Sequence, residues 1–448
     1  MAARRRSLIA ASLGAVIVVV FAAVAAAVAP YVLPDTTVDT DIAGIAAAGI
    51  FAGSYLALAV GRVPGLGIDR AGIALVGACL MVAAGILTPE EAYHAVNLDT
   101  LTLLLGVMIV AANLRLSGFF TLTNAWLIRV ARRPVALLAA VVAISGVFSA
   151  FLVNDAICLI LSPLVLEMTL ALGRKPTPYL LAVAMASNVG STATITGNPQ
   201  NILIGTFSGL PYLSFVLALA PVAVAGLLLT FGLITVVYRQ EFMTTGRVPS
   251  VRPQLRIYPA LIIRALLATA IMILLFFLGQ PPAKAAIVVG GLLLLTRRLR
   301  SERVYAEIDW SLLLMFAGLF IIVAGAQQAL LTPDMTAAAG RMHLDRLPVL
   351  SAVAAVLSNI VSNVPAVLVL KPFVEALPNP DSAWLTLAMA STLAGNFTVL
   401  GSIANLIVVH NAAARGVRIG FWEYFAVGAP LTVLTILAGT FWLSFTLS

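Results

Sequence analysis

Long apolar runs alternate along this chain with short polar stretches, and about twenty apolar residues are what a helix needs to cross the roughly 30 Å hydrocarbon layer of a bilayer. Such runs fall at 8–33, 42–60, 71–87, 101–116, 179–204, 212–238, 259–278, 285–295, 310–330, 384–410 and 424–447, which predicts eleven crossings. Two more apolar stretches, 134–172 and 347–374, fit differently. Basic residues bound the first on both sides, so the chain leaves it where it entered. Its middle reads Ser-Ala-Phe-Leu-Val-Asn-Asp-Ala over 149–156, with no loop for the opposite surface. This predicts a re-entrant hairpin with its tip inside the membrane. The second stretch, with Ser358, Ser362, Asn363 and Pro365 at its centre, reads the same way from the other side. Non-helical backbone survives at that depth only where protein buries it or water reaches it, so both tips should line a cavity.

Composition supports the same class. Of 448 residues, 61% are hydrophobic and 10% charged, against roughly 45–50% and about 25% in soluble domains. The expected fold is an all-α polytopic membrane protein. The net charge of +8 does not point to nucleic acid, because the basic residues gather on alternate connections. Arg4 to Arg6, Arg62 and Arg70, Arg129 to Arg133, Arg174 and Lys175, Arg239 to Arg256, Arg297 to Arg303, and Arg415 with Arg418 mark the cytoplasmic side. The N-terminus is then expected inside and the C-terminus outside, in a bacterial inner membrane. The run at 8–33 exceeds the apolar core of a signal peptide and reads as an uncleaved helix. Cys79 and Cys158 lie far apart in apolar runs, and His94, His343 and His410 share no metal-ligand spacing. With no paired catalytic carboxylates and no nucleophile–base pair, an enzyme is not expected, nor a cofactor beyond a coupling ion.

The chain repeats itself. Leu-Ala-Val-Ala-Met-Ala-Ser at 181–187 matches Leu-Thr-Leu-Ala-Met-Ala-Ser at 385–391, an offset of 204 residues. At that offset Thr194 meets Thr398, Gly197 meets Gly401 and Asn201 meets Asn405. Upstream, at 209, Ser149 meets Ser358, Asn154 meets Asn363 and Pro163 meets Pro372. The organisation expected is an N-terminal segment 1–41, a first repeat 42–238, a cytoplasmic linker 239–258 and a second repeat 259–448. Each repeat holds an odd number of crossings, so the second enters the membrane from the opposite side. Inverted-topology repeats are characteristic of secondary transporters, whose site lies where broken helices meet. A passive channel on the same repeats is the competing class.

The runs 179–204 and 384–410 both look broken. Gly190-Ser191-Thr192 and Gly197-Asn198-Pro199-Gln200-Asn201 interrupt the first, since Pro199 lacks a backbone donor and glycine weakens a helix interior. Gly395-Asn396 and Gly401-Ser402 interrupt the second. Unwound carbonyls beside Ser and Asn oxygens suit a hard cation, and half-helix N-termini suit an anion. The candidate substrate- and ion-binding residues are Ser149, Asn154, Asp155, Gly197, Asn198 and Asn201, with Ser358, Ser362, Asn363, Gly401, Ser402 and Asn405. Asp155 is the sharpest: a midplane Asp costs about 2.5–3.5 kcal/mol, so it should face the cavity and pair or take up a proton. The second copy has Val364 there. Glu167, also within an apolar run, reads as structural and near the cytoplasmic surface.

At these motifs the sequence resembles the ion transporter superfamily, which includes citrate transporter-like proteins, divalent-anion/sodium symporters, arsenite permeases and NhaD-type sodium/proton antiporters. The resemblance covers nearly the whole chain after the first helix. In those symporters each hairpin tip carries Ser-Asn-Thr with another Ser five residues before the Asn, a spacing kept here by Ser149 with Asn154 and Ser358 with Asn363. It implies sodium sites at the two tips, a small anionic or oxyanion substrate between them, and a homodimer in which a transport domain slides past a scaffold. The tips here read Val153-Asn154-Asp155 and Ser362-Asn363-Val364, without the Thr, and an Asp after the Asn is closer to the arsenite-permease and antiporter branches. The resemblance thus implies proton- or sodium-coupled movement of a small anion or metalloid oxyacid. Its alternatives are a sodium-coupled di- or tricarboxylate symporter and an NhaD-like antiporter.

Overall fold

The computed structural model describes residues 40–60, 67–130, 133–242, 258–296, 298–330 and 342–447. The expected crossing at 8–33 and most of the linker 239–258 lie outside them. Every regular element among the described residues is helical. The first half runs α1 (Thr40–Val60), α2 (Arg70–Ala83), α3 (Pro89–Ala95), α4 (Leu98–Ser117), α5 (Phe119–Val130), α6 (Pro134–Phe151), α7 (Asn154–Ala171), α8 (Pro176–Ser191), α9 (Pro199–Ser208) and α10 (Tyr212–Val237). The second runs α11 (Pro259–Phe277), α12 (Pro282–Leu294), α13 (Trp310–Leu330), α14 (Leu347–Val361), α15 (Asn363–Glu375), α16 (Pro380–Ala394), α17 (Ile403–Ala414) and α18 (Phe421–Thr446). A helical turn at Ser301–Tyr305 stands where α3 stands in the first half.

The halves also pack reciprocally. α4 lies on α12, and α13 lies on α2. A Cβ on Gly106 would come within 2.5 Å of the Ala286 carbonyl carbon, and one on Gly318 within 2.6 Å of that of Ala74. These are one contact with the halves exchanged. Lipid tails are as apolar as leucine, so close backbone approach at small residues is what holds helices together in a bilayer. α10 and α18, last in their halves, pack on each other. Large apolar side chains such as Leu217 and Leu228 of α10, Leu267 of α11 and Phe441 of α18 remain exposed, as suits surfaces that face lipid.

Among the described residues eight helices are long and apolar enough to cross a membrane, both arms of the first hairpin among them. Four apolar helices among the described residues are shorter: α2, α12, α14 and α17. α2 and α12 have 14 and 13 residues; at 1.5 Å per residue they reach roughly 20 Å, less than the hydrocarbon layer. α2 ends before its apolar run does because Gly85 turns the chain in the left-handed region (φ 68°) and Thr88 then starts α3. There the Glu91 N–H donates to Thr88 Oγ1 (3.2 Å) and the Thr88 N–H to Glu91 Oε2 (2.7 Å), a capping box. α8 and α16 begin earlier than their apolar runs, at Pro176 and Pro380, because a first-turn proline gives up no helical bond.

Candidate functional site

α8 and α16 are buried on nearly every side and both stop midway. Irregular segments 192–198 and 395–402, each with one 3-10 turn (Ile195–Gly197 and Val399–Gly401), separate them from α9 and α17. The same side chain closes each break. Asn201 Nδ2 donates to the carbonyls of Ser191 (3.1 Å) and Thr194 (3.0 Å), and Asn405 Nδ2 to those of Gly395 (2.7 Å) and Thr398 (3.1 Å). The 204-residue offset relates all three members of each set. Gly197 lies against the Ser191 backbone, and a Cβ on Gly401 would sit 2.9 Å from the Gly395 carbonyl oxygen, so neither site has room for a side chain. Asn198 caps α9 by accepting from the Asn201 N–H (2.8 Å), and its amide donates to Ser191 Oγ (2.9 Å) and Thr392 Oγ1 (3.1 Å).

Asn188 joins the two halves. Its Oδ1 accepts from Asn154 Nδ2 (2.9 Å) and Ser402 Oγ (3.2 Å), and its Nδ2 donates to Asn396 Oδ1 (2.9 Å) and Asn405 Oδ1 (3.0 Å). Thr392, its partner at the 204 offset, donates to Asn201 Oδ1 (3.3 Å). Each break is thereby tied to the helix of the other half.

The hairpins differ at their tips. Leu152 and Val153 join α6 to α7, whereas Ser362 alone joins α14 to α15. Ser362 has φ 79° and ψ 158°, a region that is essentially glycine's and costs a side chain about 1–3 kcal/mol. Ser149 Oγ and Asn154 Oδ1 at one hairpin, and Ser358 Oγ and Asn363 Oδ1 at the other, are buried without a hydrogen-bond partner among the described residues. An unpartnered buried polar atom costs about 1–3 kcal/mol, and here the cost recurs at both hairpins.

A cavity separates the tips. Asn154 and Asp155 line it from one hairpin, Ser362 and Asn363 from the other, Gln200 from the first turn of α9, Ser402 from the second break, and Leu58, Arg70, Leu312 and Met315 from α1, α2 and α13. A second chamber lies alongside, lined by Met108, Arg115, Glu307 and Asp309, and Asp155 is on the wall of both. The first turn of α17, at Ala404, faces the Asp155 carboxylate, on which Asp309 and Arg70 also act electrostatically. A helix N-terminus favours a negative charge there. Glu167 is 62% exposed and pairs with Arg415 at 2.8 Å, a surface contact.

Of the twelve candidate residues, Asn154, Asp155, Ser362, Asn363 and Ser402 meet at the central cavity. Gly197, Asn198, Asn201, Gly401 and Asn405 stand behind it and shape the breaks, while Ser149 and Ser358 lie in the arms that lead to the tips. The sequence alone does not single out Arg70, Asn188, Gln200 or Asp309 as site residues. An Asn inside an apolar helix was a usable signal for Asn188. Arg70 looked like one more edge charge.

The sequence profile of the citrate transporter family matches residues 55–394. The chain belongs to the citrate transporter family. That match runs from α1 to the end of α16 and includes both hairpin tips and the first break. An uncharacterized transporter of Mycobacterium tuberculosis strain H37Rv is 28% identical over 417 residues, covering 88% of this chain and 96% of that protein. The silicon efflux transporter LSI3 of Oryza sativa subsp. japonica is 27% identical over 470 residues, covering 89% and 96%. In the crystal structure of the Alcanivorax borkumensis YdaH transporter the shared fold covers 85% of this chain and 89% of that one, with a TM-score of 0.52 at 15% identity. This citrate transporter family member is a multi-pass membrane transporter.

Proposed function

We propose that the protein is a secondary active transporter that carries a small anion or metalloid oxyacid across the bacterial inner membrane, coupled to protons or sodium. One observation carries this reading: the two hairpin tips enclose a cavity with Asp155 on its wall, and Asp155 also borders the adjoining chamber. An ionisable group at membrane depth with access to two compartments is the arrangement a proton carrier needs. The adjoining chamber carries Arg115 and Glu307, joined at 2.5 Å, next to connections rich in arginine, so we assign it to the cytoplasmic side. The silicon named for the rice relative supports a metalloid cargo, and the family's own name a carboxylate.

The unpartnered oxygens of Ser149, Asn154, Ser358 and Asn363 favour a second reading, a sodium-coupled carboxylate symporter. Hydroxyl and amide oxygens, with the unwound carbonyls of the breaks, are ligands for a hard cation. In either version the hairpins and broken helices form the moving body, α1, α2, α4 and α11 to α13 the stationary one, and two copies associate through the latter.

Purified protein in liposomes tests the class. Under an imposed proton or sodium gradient, arsenite, succinate, citrate or sulfate is expected to accumulate against its own gradient. Flux that only equilibrates would mean a channel. Asp155→Asn is expected to abolish proton-driven accumulation; unchanged proton-coupled flux would remove Asp155 as the carrier.

A further inference from the structure

Arg70 opens α2, a helix that belongs to neither hairpin nor break, yet its side chain lines the central cavity together with both tips. It is partly buried. Among the described residues it makes no ion pair within 4 Å, and Asp155 acts on it across the cavity without contact. The other polar groups on that wall are uncharged: Asn154, Gln200, Ser362, Asn363 and Ser402. An arginine keeps its charge at any pH and presents five N–H donors in a planar fork, which fits two oxygens of one oxyanion. A single cation in a largely apolar cleft, with one carboxylate across from it and otherwise neutral polar groups, is a typical arrangement for fixing a small charged ligand.

We propose that Arg70 is the recognition residue for an oxyanion that presents two oxygens, and that this anion competes with ionised Asp155 for the guanidinium, so that each anion binds together with one proton. The proposal rests on the central cavity being the transport site and names its substrate class: anions rather than neutral hydroxyacids. The groups that face Asp155 are Arg70 from α2, Asp309 ahead of α13 and the Ala404 N–H of α17, with Cys158 one turn along its own helix. The Arg115–Glu307 pair stands in the adjoining chamber. While Asp155 is ionised it offsets Arg70, and an entering anion meets a like charge. Once Asp155 takes up a proton, the guanidinium is left unbalanced. Linkage then requires that the anion raise proton affinity by the factor by which the proton raises anion affinity. Anion affinity falls as pH rises.

Calorimetry on the detergent-purified full chain tests this with citrate, succinate, sulfate, phosphate and neutral boric acid, in buffers of different ionisation enthalpy. At least one of the four anions is expected to bind with about one proton taken up, and boric acid is expected not to displace it. Arg70→Gln should weaken that anion roughly 10- to 100-fold, with Arg70→Lys between the two. Asp155→Asn should bind it without proton uptake. The proposal is overturned if none of the four anions binds, if Arg70→Gln binds as tightly as the native chain, or if Asp155→Asn still takes up the proton. Should Arg70→Gln fail to fold, Arg70→Lys decides, and unchanged affinity there overturns the forked contact. Arg70-dependent binding without accumulation in liposomes would refute transport and leave this site standing. Undiminished anion accumulation by Arg70→Gln would do the reverse.

Discussion

Asn188 makes four side-chain hydrogen bonds at the junction of the two halves. Such interhelical bonds average about 0.6 kcal/mol each in a bilayer, so Asn188→Ala should cost roughly 2–3 kcal/mol and lower the Tm in detergent. An unchanged Tm would mean that other contacts hold the breaks. Ser362 predicts the opposite sign. Its φ of 79° suits glycine, and Ser362→Gly relieves about 1–3 kcal/mol of strain against a smaller entropic loss; the Tm should rise, and a fall would show that the hydroxyl outweighs the strain. Side chains differ in how far the sequence exposed them. Asp155 stood out because a carboxylate in an apolar run is costly, and Asn154 and Asn363 because the repeat aligned them. Arg70 was hidden because its place beside other arginines looks the same whether the side chain points to water or across a cavity, and only the tertiary fold separates the two.

At the scale of elements, the breaks were legible because glycine and proline cannot stay helical cheaply, and the structure adds that a single asparagine rebuilds each one. Helix lengths were less legible. Hydropathy continues past Ala83 through Ile86 and Leu87, both buried, although the backbone has already turned at Gly85. The α4–α12 contact yields a direct test of the close approach. Gly106→Val would force the Ala286 backbone away and should leave little folded protein by size-exclusion chromatography. Gly291→Ala on α12, with nothing within 4 Å of its new methyl, should be neutral or stabilising by up to about 1 kcal/mol. Equal effects of the two would mean that this helix pair is looser than the contact implies.

For the whole molecule, the recurring order of elements makes inversion testable. Glu90 in α3 and Glu302 in the turn Ser301–Tyr305 occupy equivalent places in the two halves, and both are exposed. In a background with the exposed Cys79 replaced by Ser, a cysteine at Glu90 should react with an impermeant maleimide only in right-side-out vesicles. One at Glu302 should react only in inside-out vesicles. Labelling of both from one side would contradict opposite insertion. Asp155, which borders both chambers, has an electrical consequence. If the adjoining chamber carries the cytoplasmic solution inward, the voltage across the membrane falls mainly over the short path from Asp155 to the outer face. A proton arriving from the cytoplasm then crosses little of that drop. One arriving from outside crosses most of it, worth about 2.3 kcal/mol per 100 mV, so the membrane potential would act on the outward-facing leg of the cycle and leave the inward-facing leg to the pH difference.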